Sequence, residues 1–342
     1  MMRSFASDNN SGVHPLVLDA IIKANMDHAV GYGDDPWTEA AEAKIKEVFG
    51  NQAYPFFVFN GTGANSVALQ AVTHPFNSIL CAETAHIYVD ECGAPAKLSG
   101  CAVVPIATKD GKLTPELIKP HLTNFGVCHH SQPKVVYISQ VSELGTVYTI
   151  AEIKALADLI HSYDMYLHVD GARLANACVF LNCTMREMTV DAGVDVLSFG
   201  GTKNGMMMGE AVVSFRKEIT QNIQFIRKQS AQLASKLRYL SAQFIPYLEN
   251  NLWYKNAKNA NEKALSLARI LKKNPQIKFT QKIESNQLFF TAPKSIIEQM
   301  QKYYFFYFWN EDTGEIRLVT SWDTTDEDLD QFERNFLISQ CI

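Results

Sequence analysis

The chain has 342 residues, 47% of them hydrophobic, and a formal net charge of −5. That is enough apolar material for a large core and for two structural units; no basic face marks a nucleic-acid partner, and no run reaches the roughly 18 apolar residues of a membrane span. The seven cysteines, at 81, 92, 101, 128, 178, 183 and 341, form no CxxC pair and, like the adjacent His129-His130, lack metal-ligand spacing, so reduced thiols, a cytoplasmic setting and no bound metal are expected.

The N-terminal Met1-Met2-Arg3-Ser4-Phe5 lacks the apolar stretch of a signal peptide. A short aromatic run over 54–59 reads as a strand ending at Asn60-Gly61-Thr62-Gly63, and 64–72 reads as a helix. Strands follow over 77–81 and 135–139. The spacing of Ile153, Leu156, Ala157 and Ile160 predicts a helix over 150–163. Further strands are expected over 165–169 and 194–199. Short apolar strands with polar or glycine-rich ends, alternating with helices, predict a mostly parallel sheet covered on both faces. After about residue 245 the character changes. A long helix is expected over 253–273, strands over 278–279, 287–291, 304–308 and 315–318, and a closing helix over 325–337. The aromatic run 303–309 is too short for a bilayer and reads as a buried strand. The expected division is 1–245, a large α/β unit with the N-terminal segment, and 246–342, a smaller α+β unit.

Open α/β sheets bind ligands beyond the carboxyl ends of their strands. At those ends this sequence places Asp170-Gly171-Ala172-Arg173, Gly200-Gly201-Thr202-Lys203 and Gly61-Thr62-Gly63. Singly, each has an ordinary structural explanation: the aspartate as a helix cap, the lysine as a solvated loop residue. The Gly-Thr-Gly turn lacks the third glycine of the dinucleotide fingerprint, which argues against NAD. Together they supply what pyridoxal 5′-phosphate requires: a lysine amine for an aldimine, a carboxylate to keep the pyridine nitrogen protonated, and amides and hydroxyls for a phosphate.

The motifs that carry a family likeness are Ser7-Asp8-Asn9-Asn10-Ser11-Gly12-Val13-His14-Pro15, Gly31-Tyr32-Gly33-Asp34-Asp35-Pro36, Asn60-Gly61-Thr62-Gly63-Ala64-Asn65, His86-Ile87-Tyr88-Val89-Asp90-Glu91, Glu143-Leu144-Gly145-Thr146-Val147-Tyr148, His168-Val169-Asp170-Gly171-Ala172-Arg173-Leu174 and Ser198-Phe199-Gly200-Gly201-Thr202-Lys203-Asn204-Gly205. On these residues the chain resembles the low-specificity L-threonine aldolases, within the β-eliminating lyase group of fold type I pyridoxal-phosphate enzymes. The resemblance implies a seven-stranded, mostly parallel sheet in the large unit. It also implies an aldolase that splits β-hydroxy amino acids into glycine and an aldehyde. Lys203 would carry the aldimine, Asp170 would face the pyridine nitrogen and His86 would stack on the ring. Gly61 and Thr62 would bind the phosphate, joined by the Thr202 hydroxyl. Arg173 would approach the cofactor's phenolic oxygen or the substrate carboxylate, and Arg317 would clamp that carboxylate as a fork, with Ser7 touching it and Tyr32 and Tyr88 lining the site. His86 and His129 are the candidate bases, because histidine titrates near neutrality, with a held water as the alternative. The lysine motif departs from the Ser-Lys-Gly-Leu form common in the family, and Arg227-Lys228 reads as an exposed helical face. A homotetramer with shared sites is implied. β-Elimination or racemisation on the same scaffold would use the same lysine, aspartate and phosphate site, and an inert binding homologue would lose the lysine's chemistry.

Overall fold

Val135 and Tyr137 point to one side of their strand, Val136 and Ile138 to the other, and all four are buried. A strand apolar on both faces belongs inside a sheet covered by helices on both sides. The computed structural model, which describes residues 3–338, contains that sheet. Its strands are β1 (Tyr54–Val58), β2 (Asn77–Ala82), β3 (Ala102–Ile106), β4 (Gln132–Ser139), β5 (Tyr166–Gly171), β6 (Val196–Gly200) and β7 (Glu210–Ser214), in the order β1-β7-β6-β5-β4-β2-β3. β7 runs antiparallel to both neighbours, while β6, β5, β4, β2 and β3 are parallel. The mostly parallel sheet expected from the sequence is present, with the seven strands that the resemblance implies.

β3 and β7 had no counterpart in the sequence reading. β3 is an edge strand with a proline and a largely exposed pattern, so it lacks the continuous apolar run of a buried strand. β7 begins on a glutamate just after a glycine-rich turn, which hides its start. The helices Pro15–Ala24 and Pro36–Phe49 were also unanticipated, although each has proline in its first turn and a side-chain cap, from His14 and Asp35 respectively. Thr149 and Glu152 form a reciprocal capping box that opens the helix Ile150–His161, and Ile153, Leu156, Ala157 and Ile160 are its buried face, as expected.

The second sheet is antiparallel: β8 (Lys278–Phe279), β9 (Gln287–Thr291), β10 (Tyr307–Asn310) and β11 (Glu315–Val319), in the order β10-β11-β9-β8. Here one expectation fails. The aromatic run 303–309 is not a buried strand, because β10 starts only at Tyr307 and lies at the sheet edge, where one face and one side lack neighbours. Tyr304 and Phe306 turn inward, while Phe305, Tyr307 and Phe308 are exposed.

Hydrophobic clusters cover both faces of the first sheet, and a separate one fills the second unit. The helix Leu252–Leu271 joins them: Leu252 and Ala257 pack in the first core, Ala264, Leu267 and Leu271 in the second. Phe5 also lies in the second core, and its carbonyl accepts from Val319 N–H at 2.8 Å. The chain before Asp8 therefore runs along the second sheet before it reaches the first. Among the described residues no helix is long and apolar enough to cross a membrane, six cysteines are free, and no group of three or more His, Cys, Asp or Glu is placed to hold a metal; Cys341 lies outside them.

Candidate active site

The parallel strands end on one edge, and their registers place Ser139 beside Asp170 and Asp170 beside Ser198. Residues two apart share a face, so these three polar side chains form a row above Tyr137, His168 and Val196. A cavity of about 270 Å³ opens over this row. Lys203 enters it from the turn after β6, His86 and Glu91 from the chain after β2, and Gly61 and Thr62 from the first turn of the helix Gly61–Val72. Thr202, Arg173, Glu143 and Glu210 also line it.

Asp170 is buried at the end of β5. Its Oδ2 accepts from Tyr137 Oη at 2.8 Å and from Asn65 Nδ2 at 2.9 Å, and its Oδ1 accepts from Ala172 N–H at 2.9 Å. Burial pushes this carboxyl up, but the Asn65 bond, the Lys203 charge, the Tyr137 bond and the His86 charge outweigh it and hold Asp170 below the usual carboxylate range. It is therefore a fixed negative charge inside the cavity. One residue pair along the same face, His168 is wholly buried and pushed down to about 4 by desolvation. It is a neutral ring, with Nε2 2.9 Å from Ser198 Oγ, and serves as packing beneath the site.

His86 Nδ1 donates to Glu91 Oε1 at 2.8 Å, and this bond raises the imidazole above its ordinary value against the pull of burial. Nε2 is the ring atom left to meet a ligand. Lys203 Nζ makes no hydrogen bond or ion pair among the described residues, so its amine is unengaged. Asn60 Oδ1 accepts from Gly63 N–H at 2.8 Å, which caps the helix and leaves the N–H groups of Gly61 and Thr62 without partners among the described residues. A helix N-terminus with open amides favours an anion.

Arg173 is buried and bidentate on a residue the sequence had not linked to it: Nε and Nη2 donate to Asp8 Oδ2 and Oδ1 at 2.8 and 2.9 Å. Nη1 is the arm that remains for a ligand. Arg317 does not line the cavity. It sits on β11 with its guanidinium 4.9 Å over the Trp309 ring, Nη2 donating to the Ala6 carbonyl at 3.4 Å and Nε buried without a partner among the described residues. Burial, with the like charge of Arg173, weakens its hold on its proton, a penalty that an incoming carboxylate would relieve.

Ser7, Tyr32 and Tyr88 are not brought to the cavity. Ser7 Oγ accepts from Asn9 N–H at 3.1 Å and faces a different groove, beside Arg3 and Tyr304, while Asn9 takes the place in the wall. Tyr32 is 52% and Tyr88 49% exposed. His129 is a correction. It lies exposed just before β4, at the opposite end of the strand from Ser139. Eight strand residues span about 26 Å, so His129 cannot act in the cavity of its own chain. Of the expected exposed face, Lys228 is exposed and lies over the Tyr32 ring, while Arg227 is half-buried and its Nη1 donates to the Phe57 carbonyl at 3.2 Å.

Asn65, Glu91 and Glu210 were missed. The first two stand inside motifs already singled out, but only the fold shows Asn65 Nδ2 bridging Glu91 and Asp170 at 2.8 and 2.9 Å. Glu210 accepts from Thr202 Oγ1 at 2.8 Å, and burial pushes its carboxyl up to about 7. Its carboxyl occupies the space of a side chain at Gly200, where a Cβ would fall 1.1 Å from Oε2. Gly200→Ala should displace that carboxyl and cost about 1–3 kcal/mol by overpacking, measured as a lower denaturation midpoint.

Residues 4–292 match the family model described as β-eliminating lyase. Low-specificity L-threonine aldolases of a Pseudomonas species and of Pseudomonas aeruginosa are each 39% identical to this chain, covering 94% and 97% of it and 93% and 96% of their own lengths. The solved structure of a Leishmania major threonine aldolase superposes with a TM-score of 0.91 at 29% identity, covering 99% of this chain and 98% of that one.

Proposed function

Because this chain belongs to the β-eliminating lyase family, we propose that it is a pyridoxal-phosphate-dependent carbon–carbon lyase that cleaves L-threonine and L-allo-threonine to glycine and acetaldehyde. One observation carries the reading: a buried Asp170, held below the usual carboxylate range, and an unengaged Lys203 amine share a cavity that also holds an open helix N-terminus. The donor set fits the cofactor. Asp170 would keep a proton on a ring nitrogen, Gly61 and Thr62 would hold the phosphate with Thr202, and Lys203 would hold the aldehyde carbon. Asn65 Oδ1, Ser139 Oγ and Glu91 Oε2 are buried in the same wall without partners among the described residues. When bound, the cofactor supplies an electron sink for the bond breaking at the substrate's α-carbon.

The protein's own part is orientation and proton handling. Arg317 and the free arm of Arg173 would grip the substrate carboxylate, which orients the substrate so that the Cα–Cβ bond is the one that breaks. Asn9, which stands in the cavity wall, borders that approach. His86 is the base: with Nδ1 held by Glu91, Nε2 would take the β-hydroxyl proton as the Cα–Cβ bond breaks and the aldehyde leaves. A proton returned to the α-carbon completes glycine, so atoms and charge balance.

The same proposal extends to a homotetramer of cytoplasmic subunits, each divided near residue 245. Tyr32 is exposed, and in the segment before it so are Leu16, Leu18, Ile22, Met26 and Val30, an apolar exposure that favours a covering subunit. Tyr32 and Tyr88 would then line sites shared across that contact. The test is incubation with the four stereoisomers of threonine and allo-threonine. Acetaldehyde and glycine in equal amounts from the L-forms are expected; ammonia with a 2-oxo acid would overturn the reading.

A further inference from the structure

β7 runs against its neighbours, so its first residue, Glu210, stands at the edge where β4, β5 and β6 end. It is paired with Gly200 on one side and Val58 on the other. Beyond Val58 the chain passes through Phe59, whose carbonyl accepts from Gly209 N–H at 3.2 Å, and reaches Gly61 and Thr62 within four residues. Glu210 therefore lies between the lysine turn and the open helix N-terminus. Its carboxyl lies over Gly200 and makes one hydrogen bond among the described residues, to Thr202 Oγ1. The groups that face it are Asp170 from β5, Lys203 and Thr202 from the turn, and Tyr247 from the helix Phe244–Leu248. None makes an ion pair with it.

A buried carboxylate next to a bound phosphate would repel it and would also consume the Thr202 hydroxyl proton. A buried carboxylic acid does neither. It donates to Thr202 Oγ1, and the threonine's own proton is released to a phosphate oxygen. We propose that Glu210 is a positioning residue of the phosphate subsite, holding its proton toward Thr202 so that the Thr202 hydroxyl donates to the cofactor's phosphate. This rests on the reading of the cavity as a pyridoxal-phosphate site. It also gives Gly200 a reason: only glycine leaves room for the carboxyl beneath Thr202.

The sign of the pH effect follows. Burial, with the charge of Asp170 adding to it, raises Glu210 to about 7. Below that value the acid form and the full phosphate grip are present; above it the grip is lost as the proton leaves.

The experiment titrates the apoprotein with pyridoxal 5′-phosphate and with pyridoxal, which lacks the phosphate, between about pH 6 and pH 9. The readout is the ratio of the two dissociation constants. Glu210→Gln is the reference, because its amide donates to Thr202 at every pH and it shares the titration of the phosphate itself. Relative to Glu210→Gln, the preference of the wild type for the phosphorylated form should fall with rising pH, by up to about tenfold per unit above the Glu210 midpoint. Thr202→Val should lower the preference and shrink its pH dependence. A wild-type ratio parallel to that of Glu210→Gln, an undiminished pH dependence in Thr202→Val, or identical profiles for the two ligands would each overturn the proposal; the last would mean that Glu210 acts through Lys203. If neither ligand produced lysine-bound absorbance, the cofactor reading would fall and this inference with it, an outcome read from the spectrum and not from the ratio.

Discussion

Lys203→Ala should lose the near-visible absorbance of a lysine-bound cofactor and lower threonine cleavage by at least roughly 10²–10⁴-fold, the scale of losing a positioned proton-transfer group, while the fold stays intact. The reason lies in how the turn is held. Asn204 Nδ2 donates to the Trp253 carbonyl at 2.9 Å and to Tyr247 Oη at 3.1 Å, Asn256 Nδ2 donates to the Asn204 carbonyl at 2.9 Å, and His14 N–H donates to the Gly205 carbonyl at 2.9 Å. Gly205 takes a φ of 103°, a conformation that glycine reaches without strain. The backbone on both sides of the lysine is thus anchored by other residues, and the Nζ contributes no bond to the fold. An unchanged denaturation midpoint with the absorbance gone is the expected pair of results. Retained absorbance would remove Lys203 from its role and with it the proposed chemistry.

What could be read from the sequence, and what could not, follows from distance along the chain. Asp170 and Lys203 were legible because each ends an apolar strand, and strand ends in a parallel sheet converge on one edge. Gly61 and Thr62 were legible for the same reason. His129 was misplaced because local pattern shows that a strand is near but not which end of it faces the ligand. Glu210 was hidden because β7 was unseen: in an antiparallel strand the first residue, not the last, reaches the ligand edge. The bond between Asp8 and Arg173 joins residues 165 apart, and no periodicity reports such a contact. The edge strand β10 was misjudged because aromatic residues favour strands whether buried or exposed, and only the sheet order decides which.

The Asp8 contact has the largest expected effect on stability. Asp8→Ala should cost about 3–5 kcal/mol, because it leaves the buried Arg173 charge without its partner. Arg173 and Asp8 are both buried, and a third bond to Asp8 comes from Asn286 Nδ2 at 3.0 Å, next to β9 of the other sheet. One carboxylate thus links the N-terminal segment, the end of β5 and the second unit. Asp8→Asn, which keeps an acceptor oxygen but no charge, should lose less. The pH dependence has a definite direction. Burial pushes the Asp8 carboxyl up, but the charges of Arg173 and Lys203 and the bonds from Arg173 and Asn286 outweigh it, so its folded value lies below the ordinary 3.8. Its contribution is therefore complete above 3.8 and is lost as the pH falls through the lower, folded value. The stability gap between wild type and Asp8→Asn, measured by chemical denaturation, should be flat near neutrality and should close only in acid. A loss below about 1 kcal/mol for Asp8→Ala, the range of an exposed ion pair, would mean that Arg173 finds another partner or water, and that Asp8 does not hold it in place for the substrate.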